Sequence, residues 1–357
     1  MSGTLVALTA NHGLQDQIIF DEPDVSFFKA SFRKITNFQV EPLLLPTNFS
    51  SAQEFPKMYV TIQRSGDLVG EMYIQYKMKG NSSTHQAAYH DVREVCLEIG
   101  GQVIDRQSGA FMKAFNDIMG KADKDERKLL TGSICGTDRY AYYPLKFFNC
   151  LSPSLYIPAI SLQFHDIRVS MDMHVKPDKI DTIDLLVNYV YLDEEERKRM
   201  AREQMEILIP QVQTTSIVTD KTVEKIDLPF NHPVSCLLWS TDQTDMIDAS
   251  GMETVVSAQL RLNHHLRFGR QAMPGNYFRL VQPYEKFGKI PEHTYGYSFA
   301  LDATSMTQPT GSCNFSRIDS AVLDLELATG VTKVDVFAIN WNVLRIFSGL
   351  GGLSYSN

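Results

Sequence analysis

The chain has 357 residues, more than one hydrophobic core usually holds, so its length predicts two domains of about 150 to 200 residues each. The net charge is −8 and Lys and Arg are interleaved with acidic residues, which argues against a surface that grips a phosphate backbone; we expect no direct binding to nucleic acid. Five widely spaced cysteines without a CxxC pair indicate reduced thiols rather than a disulfide framework. They are Cys96, Cys135, Cys150, Cys236 and Cys313.

The first residues predict neither a signal peptide nor a membrane anchor. The opening MSGTLVALTANHG has no basic start and only a short apolar run. No later segment reaches the run of about 18 apolar residues that a membrane-spanning helix needs. We therefore expect the chain to be made and folded in the cytosol.

Apolar and polar residues alternate with a period of two in several segments, which is typical of antiparallel strands with one buried face. In KMYVTIQRSGDLVGEMYIQYKM, residues 57–78, the turn-forming Ser65, Gly66 and Asp67 separate two such runs and predict two strands around a turn. The same pattern predicts strands in four later segments. These are DIRVSMDMHV at 166–175, AQLRLNHHLRF at 258–268, AVLDLEL at 321–327 and FAINWNVLRI at 337–346.

Helical periodicity is confined to two segments, one near 108–130 and one at 193–208. In the second, Asp193 stands at the N-cap with Glu196 three residues on, and three pairs of opposite charge four residues apart support a short, solvated helix. The pairs are Asp193/Arg197, Glu194/Lys198 and Glu195/Arg199. The next segment, PQVQTTSIVTDKTVEKID, has the composition of a linker, so we place the domain boundary near 212–222.

The stretch QPTGSCNFSRID, residues 308–319, raises the question of a catalytic cysteine, because Cys313 stands between small residues and beside an Asn-x-Ser sequon at Asn314. A nucleophilic cysteine needs a base within hydrogen-bond reach and a helix N-terminus or a cation that lowers its pKa. Predicted strands flank Cys313 on both sides and no helix begins after it. We therefore interpret the stretch as a turn between strands.

Histidines and acidic residues give no stronger candidate for a metal or catalytic site. Neighbouring residues of a strand point to opposite faces, so His264 and His265 cannot bind one ion if their segment is extended. The acidic run Glu194 to Glu196 lies on the solvated helix, and no phosphate-binding glycine loop or serine elbow is present. The sequence thus predicts no catalytic, cofactor-binding or metal-binding residue. The other histidines considered for a metal site are His165, His174, His232 and His293.

Several segments resemble, in the same order, the major capsid proteins of nucleocytoplasmic large DNA viruses. Residues 5–38 resemble the opening of that family, in which an arm containing glycine and aspartate leads into a strand of the pattern FFK…TNF. The matching residues are Gly13, Asp16, Pro23, Phe27, Phe28, Lys29, Arg33, Thr36, Asn37 and Phe38. The resemblance continues through 142–169, 189–201 and 228–239, and it is densest at 297–325 and 336–357.

This resemblance implies an all-β fold of two tandem eight-stranded antiparallel jelly rolls, a double jelly roll, with short helices in the connections. It implies an N-terminal arm at 1–22, a first jelly roll at 23–212 that includes the connecting helix 193–208, and a second jelly roll at 213–357. Cys313 is then a small structural residue in a turn, and Phe315 enters the core. Family members are generally longer, so we expect short loops here and few features that depend on long ones.

The function implied by the resemblance is that of a major capsid protein that self-assembles as pseudo-hexagonal homotrimers and tiles an icosahedral shell. The implied partners are further copies of the chain, neighbouring capsomers, minor capsid proteins and an underlying internal membrane. The protein would be part of the virion, after synthesis and assembly in the host cytoplasm, and would not be an enzyme. A minor capsid paralogue stays open. So do a carbohydrate-binding β-sandwich using Tyr284, Tyr295 or Tyr297, and a cupin-type enzyme using His264 or His293.

Overall fold

The structure is a computed structural model that describes residues 2–10, 13–48, 57–78, 91–120, 140–174, 180–242, 253–292 and 294–356. It divides into two compact units, Met1–Asn37 and Phe38–Asn357. None of the helices in the described ranges is long and apolar enough to cross a membrane.

The N-terminal unit contains two short helices, α1 at Gly3–Ala10 and α2 at Gln17–Phe20, neither of which has a buried residue. The expected FFK…TNF strand is not formed. The first strand, β1, begins at Phe38, which pairs with Leu192 at the end of its partner strand. Residues 27–37 form no strand, and the Phe28 N–H is bound locally by the Ser26 hydroxyl.

Within its described residues, the first half of the second unit contains eight strands in two four-stranded antiparallel sheets. The strands are β1 Phe38–Pro46, β2 Lys57–Ile62, β3 Leu68–Met78, β4 Val92–Ile99, β5 Gln102–Ser108, β6 Tyr140–Pro144, β7 Ile167–Met173 and β8 Ile180–Leu192. Their orders are β1-β8-β3-β6 in one sheet and β2-β7-β4-β5 in the other. Helix α3, Gly109–Ile118, follows β5, and helix α4, Glu194–Arg202, follows β8.

The second half repeats this arrangement. Its elements are β9 Met205–Val218, β10 Val223–Asp227, β11 Pro233–Thr241, β12 Val255–Leu262, β13 His265–Leu266, β14 Met273–Pro274, α5 Gln282–Lys286, β15 Tyr295–Ser298, β16 Cys313–Asn314, β17 Ala321–Leu327, β18 Lys333–Phe347 and β19 Leu350–Leu353. The main sheet orders are β9-β18-β11-β15 and β10-β17-β12-β13. The short β14, β16 and β19 pair with β12, β11 and β18 respectively.

Both halves have one topology, because each sheet order is the same when the strands of each half are counted from its start and the short β14, β16 and β19 are left out of the count. The first strand lies beside the eighth, followed by the third and sixth, and the second lies beside the seventh, followed by the fourth and fifth. Two sheets connected in this way form a jelly roll. The chain is an all-β protein of two tandem antiparallel jelly rolls with short connecting helices.

The period-two alternation correctly identified the strands that have one buried face. In β2, Met58, Val60 and Ile62 are buried while the residues between them are exposed. The two strands of 57–78 do not pair with each other, however. Strand β2 pairs with β7 and β3 pairs with β8, so the turn between them crosses from one sheet to the other.

The segment 258–268 is a hairpin and not one strand. Asn263 and His264 have φ angles of 48° and 66°, and Leu262 pairs with His265 across this two-residue turn. Two consecutive left-handed residues match the twist of a tight hairpin, and Asn adopts this conformation at low cost. The hydrophobic alternation continued through the turn, which concealed it in the sequence.

Helix α4 is shorter than the predicted helix at 193–208. Glu203 already has an extended backbone, and β9 begins at Met205, because from there the chain pairs with β18 along fourteen residues. Residue 212, the predicted end of the first jelly roll, lies within β9. The other predicted helical segment is helical at Gly109–Ile118, and its residues 121–130 lie outside the described ranges.

The charge pairs of α4 differ in part from the prediction. Lys198 binds Glu194 as expected, and Asp193 is the N-cap residue but makes no side-chain capping bond. Arg197 instead donates to the Asp67 carboxylate at 2.9 and 3.0 Å, and Arg199 lies 3.7 Å from Glu196. Asp67 also accepts the Leu192 N–H, so this pair fixes the start of α4 on the turn before β3.

Apolar side chains join the two jelly rolls. Helix α3 of the first half places Phe111 against Phe337 of β18, with ring centroids 5.6 Å apart. Its Ile118 lies so close to Gly296 of β15 that a Cβ there would be 2.8 Å from the Ile118 Cδ1. One continuous core cluster therefore contains residues of both halves, among them Phe111, Ile209 and Phe337. The two jelly rolls form one compact body.

Polar groups at the same junction are buried with specific partners. The Asp105 carboxylate on β5 accepts the Val212 N–H at 3.0 Å and a Gln107 Nε2–H at 2.7 Å. The Gln211 amide donates in turn to the Ile104 carbonyl. Burial raises the pKa of the Asp105 carboxyl to about 6, although hydrogen bonds from the Val212 and Gln107 groups and from the Arg106 backbone oppose this rise.

We expect Asp105 to make folding stability depend on pH between about 4 and 6. Its pKa in the unfolded chain is 3.8, so the folded state holds the proton more tightly, and the resulting stabilisation is full below 3.8 and is lost as pH rises through about 6. Relative to Asp105→Asn, the free energy of unfolding of the unmodified chain should fall by about 3 kcal/mol across this range. Denaturant unfolding at a series of pH values measures this difference.

The test depends on how the difference between the two free energies of unfolding changes with pH. Any effect of the new amide beside Gln107 that does not depend on pH cancels from that change. Asp227→Asn, which removes an exposed carboxyl from β10, is the matched control. Equal pH slopes for the Asp105→Asn variant and the unmodified chain would contradict the assignment.

Candidate assembly surfaces

The stretch around Cys313 is a turn into a short strand. Cys313 and Asn314 form β16 and pair with Val234 and Pro233 of β11. Gly311 has a φ of 144°, and a Cβ there would lie 3.0 Å from the Phe299 carbonyl oxygen. Phe315 is buried against Phe230 and Phe299, as expected for a residue that enters the core.

The environment of Cys313 disfavours the thiolate that a nucleophile needs. Burial raises the pKa of the Cys313 thiol, against the opposing effect of the Arg267 guanidinium. The Asn314 side chain accepts the Ser316 N–H at 3.1 Å and so caps the short turn that follows. This surrounding is that of a structural cysteine.

The described histidines among those considered for a metal site form no group that could hold an ion. His264 and His265 are exposed at the tip of the β12–β13 hairpin, while the His165 Nδ1 lies 2.9 Å from the Gly351 carbonyl oxygen. His293 lies outside the described residues. Across the residues that the structure describes, no group of three or more His, Cys, Asp or Glu side chains could hold a metal ion.

Two of the three tyrosines considered as sugar-stacking platforms are inside the protein. Tyr295 is fully buried, stacks on Trp239 with ring centroids 6.1 Å apart, and donates its hydroxyl to Glu253. Tyr297 is 7% exposed. Only Tyr284, at 74% exposed, could offer its face to a ligand. A carbohydrate-binding platform built from these three residues is therefore absent.

The N-terminal unit exposes a dense set of large apolar side chains. Phe27 and Phe28 are 94% and 101% exposed, in a segment with no strand and no buried residue of its own. Exposed apolar groups at this density indicate a binding surface, because monomeric proteins rarely leave them in water. The set comprises Leu5, Val6, Leu8, Leu14, Ile18, Ile19, Phe20, Val25, Phe27, Phe28, Phe32 and Ile35.

A second apolar surface lies on strand β1, at the edge of its sheet. Phe38, Val40 and Leu44 share one face of the strand and are each about half exposed, between 47% and 49%. Exposed edge strands with apolar side chains are ready to pair or pack with another chain. We call Phe38, Val40 and Leu44 the β1 face.

A charged surface lies on the outer side of the other sheet of the first jelly roll. It is a groove of about 190 Å³ bordered by β2, β4, β5 and β7. The Lys57 Nζ lies 3.8 Å from the Asp172 Oδ2, and the Arg106 Nε lies 3.5 Å from the Glu94 Oε1. Lys57 and Arg106 are well exposed, so these pairs add little to folding stability and are free to exchange partners across an interface. Sequence reasoning missed both this groove and the β1 face.

Two family models match this chain and together span most of it. One, described as the N-terminus of a major capsid protein, matches residues 26–193. The other, described as the major capsid protein of large eukaryotic DNA viruses, matches residues 196–352. The matches meet at the start of α4.

Curated relatives match over the full length of both chains. The major capsid protein of Pyramimonas orientalis virus is 34% identical over 408 aligned positions, with 100% of each chain covered. The major capsid protein of Paramecium bursaria Chlorella virus 1 is 30% identical over 442 positions, again with 100% of each covered. Both alignments are longer than the 357 residues of this chain, so the relatives have segments that it lacks.

Solved structures have the same fold. A chain of the quasi-atomic model of the PBCV-1 virus capsid superposes with a TM-score of 0.83 at 28% identity, covering 93% of this chain and 100% of that one. The Faustovirus major capsid protein superposes with a TM-score of 0.72 at 10% identity, covering 96% of this chain and 97% of the other, and so shares the fold.

We expect Cys313→Ser to leave folding and assembly nearly unchanged. Replacing a partly buried thiol by a hydroxyl should cost at most about 1 to 2 kcal/mol. Thermal melting and the mass of the assembled species measure both effects. A hydrolytic activity that the unmodified protein has and that this variant loses, with the fold intact, would contradict the structural role.

Proposed function

Because the chain belongs to the major capsid protein family of large eukaryotic DNA viruses, we propose that it assembles as pseudo-hexagonal homotrimers that tile an icosahedral viral shell. It is a capsid protein, located in the virion shell, and it assembles with further copies of itself and with neighbouring capsomers. The trimer, its outline and the other partners are the proposed part. The observation that carries the proposal is the repeated strand order of the two jelly rolls.

A chain with two similar jelly rolls can satisfy three-fold and six-fold packing at once. Three chains around a three-fold axis contribute six jelly rolls of one topology, so the trimer has a nearly hexagonal outline. Units with that outline fill a flat facet without gaps. The junction through Phe111 and Phe337 supports this arrangement, because it keeps the two jelly rolls of each chain in a fixed relation.

Different surfaces suit different contacts in such a shell. The apolar β1 face and the apolar side chains of the N-terminal unit suit contacts inside the trimer, because obligate interfaces are large and apolar. The charged groove with Lys57, Glu94, Arg106 and Asp172 suits weaker contacts between trimers, whose strength depends on salt. We propose this division of roles.

The N-terminal unit has an assembly role in this proposal. Fixing an extended segment costs conformational entropy, which its own few internal contacts do not offset. Burial of the exposed phenylalanines on a partner would contribute roughly 1.5 to 3 kcal/mol for each fully buried side chain. We assign a neighbouring subunit as that partner, with the layer beneath the shell as the alternative for the test below.

The domain limits also remain a prediction: an arm at 1–22, a first jelly roll at 23–212 and a second at 213–357. Strand β9 contains residue 212 and pairs throughout with β18, and the two family matches end at 193 and begin at 196. These observations favour a start of the second jelly roll at Met205, a few residues before the predicted limit.

The remaining assignments follow from the family. We propose that the shell made by this chain also binds minor capsid proteins and an internal membrane, that assembly takes place in the host cytoplasm, and that the chain has no enzymatic role. The relatives described above are major capsid proteins, so a minor paralogue is the less favoured alternative.

We expect the purified chain to form trimers of about 121 kDa, three times its mass of 40.4 kDa. The apolar β1 face and N-terminal unit would otherwise stay in water. Light scattering gives the mass, and negative-stain electron microscopy shows whether the particles have a hexagonal outline. A stable 40.4 kDa monomer at micromolar concentration would contradict the proposal.

Deletion of residues 2–20 should leave both jelly rolls folded and weaken the assembled species. This segment has no buried residue in its helices, so the melting temperature should change by only a few degrees while the yield of trimers or of lattice falls. Thermal melting and particle yield are measured on the same preparations.

A full-length chain with Ile18→Ser and Ile19→Ser separates the loss of apolar contacts from the loss of length. Leu301→Ser, which changes an exposed apolar residue of the second jelly roll, is the control. Weakened trimers point to a neighbouring subunit, whereas intact trimers with a weakened lattice point to the layer beneath. Unfolding of the truncated chain, or no effect on either readout, would refute the assembly role.

A further inference from the structure

Two sheets that are equivalent in the two jelly rolls differ in what covers them. The first, eighth, third and sixth strands of each half, counted as above, form the sheets β1-β8-β3-β6 and β9-β18-β11-β15. We call these sheets the front sheets of the first and second jelly rolls. The outer face of a front sheet is the face that points away from its own jelly roll.

The first jelly roll covers the outer face of the second front sheet. Leu238 of β11 and Phe337 of β18 pair with each other and are fully buried. Phe111 of α3 packs on Phe337, and Ile118 of the same helix lies close to Gly296 of β15. Leu238 and Phe337 therefore belong to a core cluster that they share with residues of the first jelly roll.

The outer face of the first front sheet carries apolar residues that cross all four of its strands. We call them the apolar row. Leu44 is 47% exposed and the other members are partly exposed, whereas Leu185, next to one of them along β8, is fully buried in the core. Since neighbouring residues of a strand point to opposite faces, the row points outward. In the order of strands β1, β8, β3 and β6, each pairing with the next, its members are Leu44, Leu186, Tyr73 and Pro144.

The outer faces of the other two sheets are charged instead. The sheet β2-β7-β4-β5 carries the groove with Lys57 and Asp172. The sheet β10-β17-β12-β13 carries Arg261, whose guanidinium donates to both carboxylate oxygens of Asp324. Solvated faces of antiparallel sheets are ordinarily polar, as these two are. The apolar row departs from that rule, which indicates a face that another protein surface covers.

Polar groups near the apolar row do not oppose its burial. Glu71 accepts the Tyr156 hydroxyl at 2.7 Å and an Asn188 Nδ2–H at 3.3 Å, so its carboxylate already has donors from the same chain. Farther along β3, the Lys77 Nζ lies 3.8 Å from the Asp181 Oδ2. An apolar centre with a charged rim is the usual composition of a protein interface.

We propose that the second jelly roll of a neighbouring copy covers the apolar row, in the way that the first jelly roll covers the second front sheet within one chain. This inference rests on the proposed trimer. Three chains place six jelly rolls around the axis, and their six positions are alike only if each jelly roll covers the front sheet of the next. The intrachain contact through Phe111 and the contact between chains then alternate until the ring closes.

The partner surface follows from the same equivalence. The covering helix α3 of the first jelly roll lies between its fifth and sixth strands, β5 and β6. In the second jelly roll the segment between the corresponding strands, β13 and β15, carries α5. Tyr284 of α5 is 74% exposed, and Val281, three residues before it, is exposed as well. We assign these two side chains to the contact with the apolar row, since aromatic residues often supply much of an interface's binding energy.

The first test is the mass of the purified chain in a dilution series, measured by mass photometry. Leu186→Lys and Leu44→Lys should each raise the concentration at which trimers dissociate by about tenfold or more, because the interface would have to bury an unpaired charge. Tyr284→Ser should also weaken the trimer, through lost apolar contact. Val223→Lys, which places the same charge on an exposed apolar position of β10, is the control and should leave the trimer unchanged. Thermal melting of each variant checks its fold.

Hydroxyl-radical footprinting of the unmodified protein locates the covered face directly. Tyr73 and Tyr142, both on the outer face of the first front sheet, should be oxidised more slowly in trimers than in the dissociated chain, obtained by dilution or from Leu186→Lys. Tyr59, an exposed residue of β2 in the other sheet, is the internal control and should react equally in both. Trimers of the chain that lacks residues 2–20 should keep the protection of Tyr73.

The outcomes separate this inference from the proposed trimer. A chain that is monomeric at every concentration would overturn both. Trimers that leave Tyr73 as reactive as in the dissociated chain would overturn this inference alone, as would unchanged dissociation of Leu186→Lys and Leu44→Lys or an equal effect of Val223→Lys. Protection that disappears with residues 2–20 would assign the row to the N-terminal unit of a neighbour instead. Unchanged trimers of Tyr284→Ser would overturn the assignment of α5.

Discussion

The contact between the two jelly rolls is the constraint on which the rest of the structure depends. Helix α3 leaves the first jelly roll and places Phe111 on β18 of the second, and at the same junction Asp105 holds the middle of β9 through the Val212 N–H. Apolar packing gives this contact its strength and the buried hydrogen bonds give it one geometry. A shell subunit needs this, because a lattice built from flexible halves would have no fixed repeat.

The sequence reveals strands best where one face of the strand is buried and the other is exposed to solvent. Strands β2, β7 and β17 follow that rule, and their alternation was sufficient to identify them. It fails in β9, whose first residues continue the charged helical pattern of α4 and become a strand only because β18, more than a hundred residues later, pairs with them. It fails again at 263–264, where a left-handed turn ends the strand although apolar and polar residues continue to alternate in the sequence. Both errors arise where tertiary pairing overrides a local preference.

The family could be inferred from the sequence, but the surfaces could not. Ordered motifs identify the double jelly roll, whereas the charged groove joins Lys57, Arg106 and Asp172 from three strands that are far apart in the chain and has no local pattern. The β1 face was hidden for another reason: its Phe38 ends a motif that resembles a family strand, and only the pairing with Leu192 shows that the strand begins there. The tyrosines show the reverse case. The aromatic side chains of Tyr295 and Tyr297 are of the type that forms a sugar-binding platform, but both are buried in the core.

The long pairing of β9 with β18 also bears on the order of folding during translation. All eight strands of the first jelly roll have been synthesised once Leu192 leaves the ribosome, so this half can close early. The second half cannot close early, because Met205 in its first strand pairs with Ile346, which is synthesised about 140 residues later. Until then β9 is an unpaired apolar edge, and pairing over such separations is slow. Nascent chains made side by side are therefore most exposed to mispairing with one another just before β18 emerges.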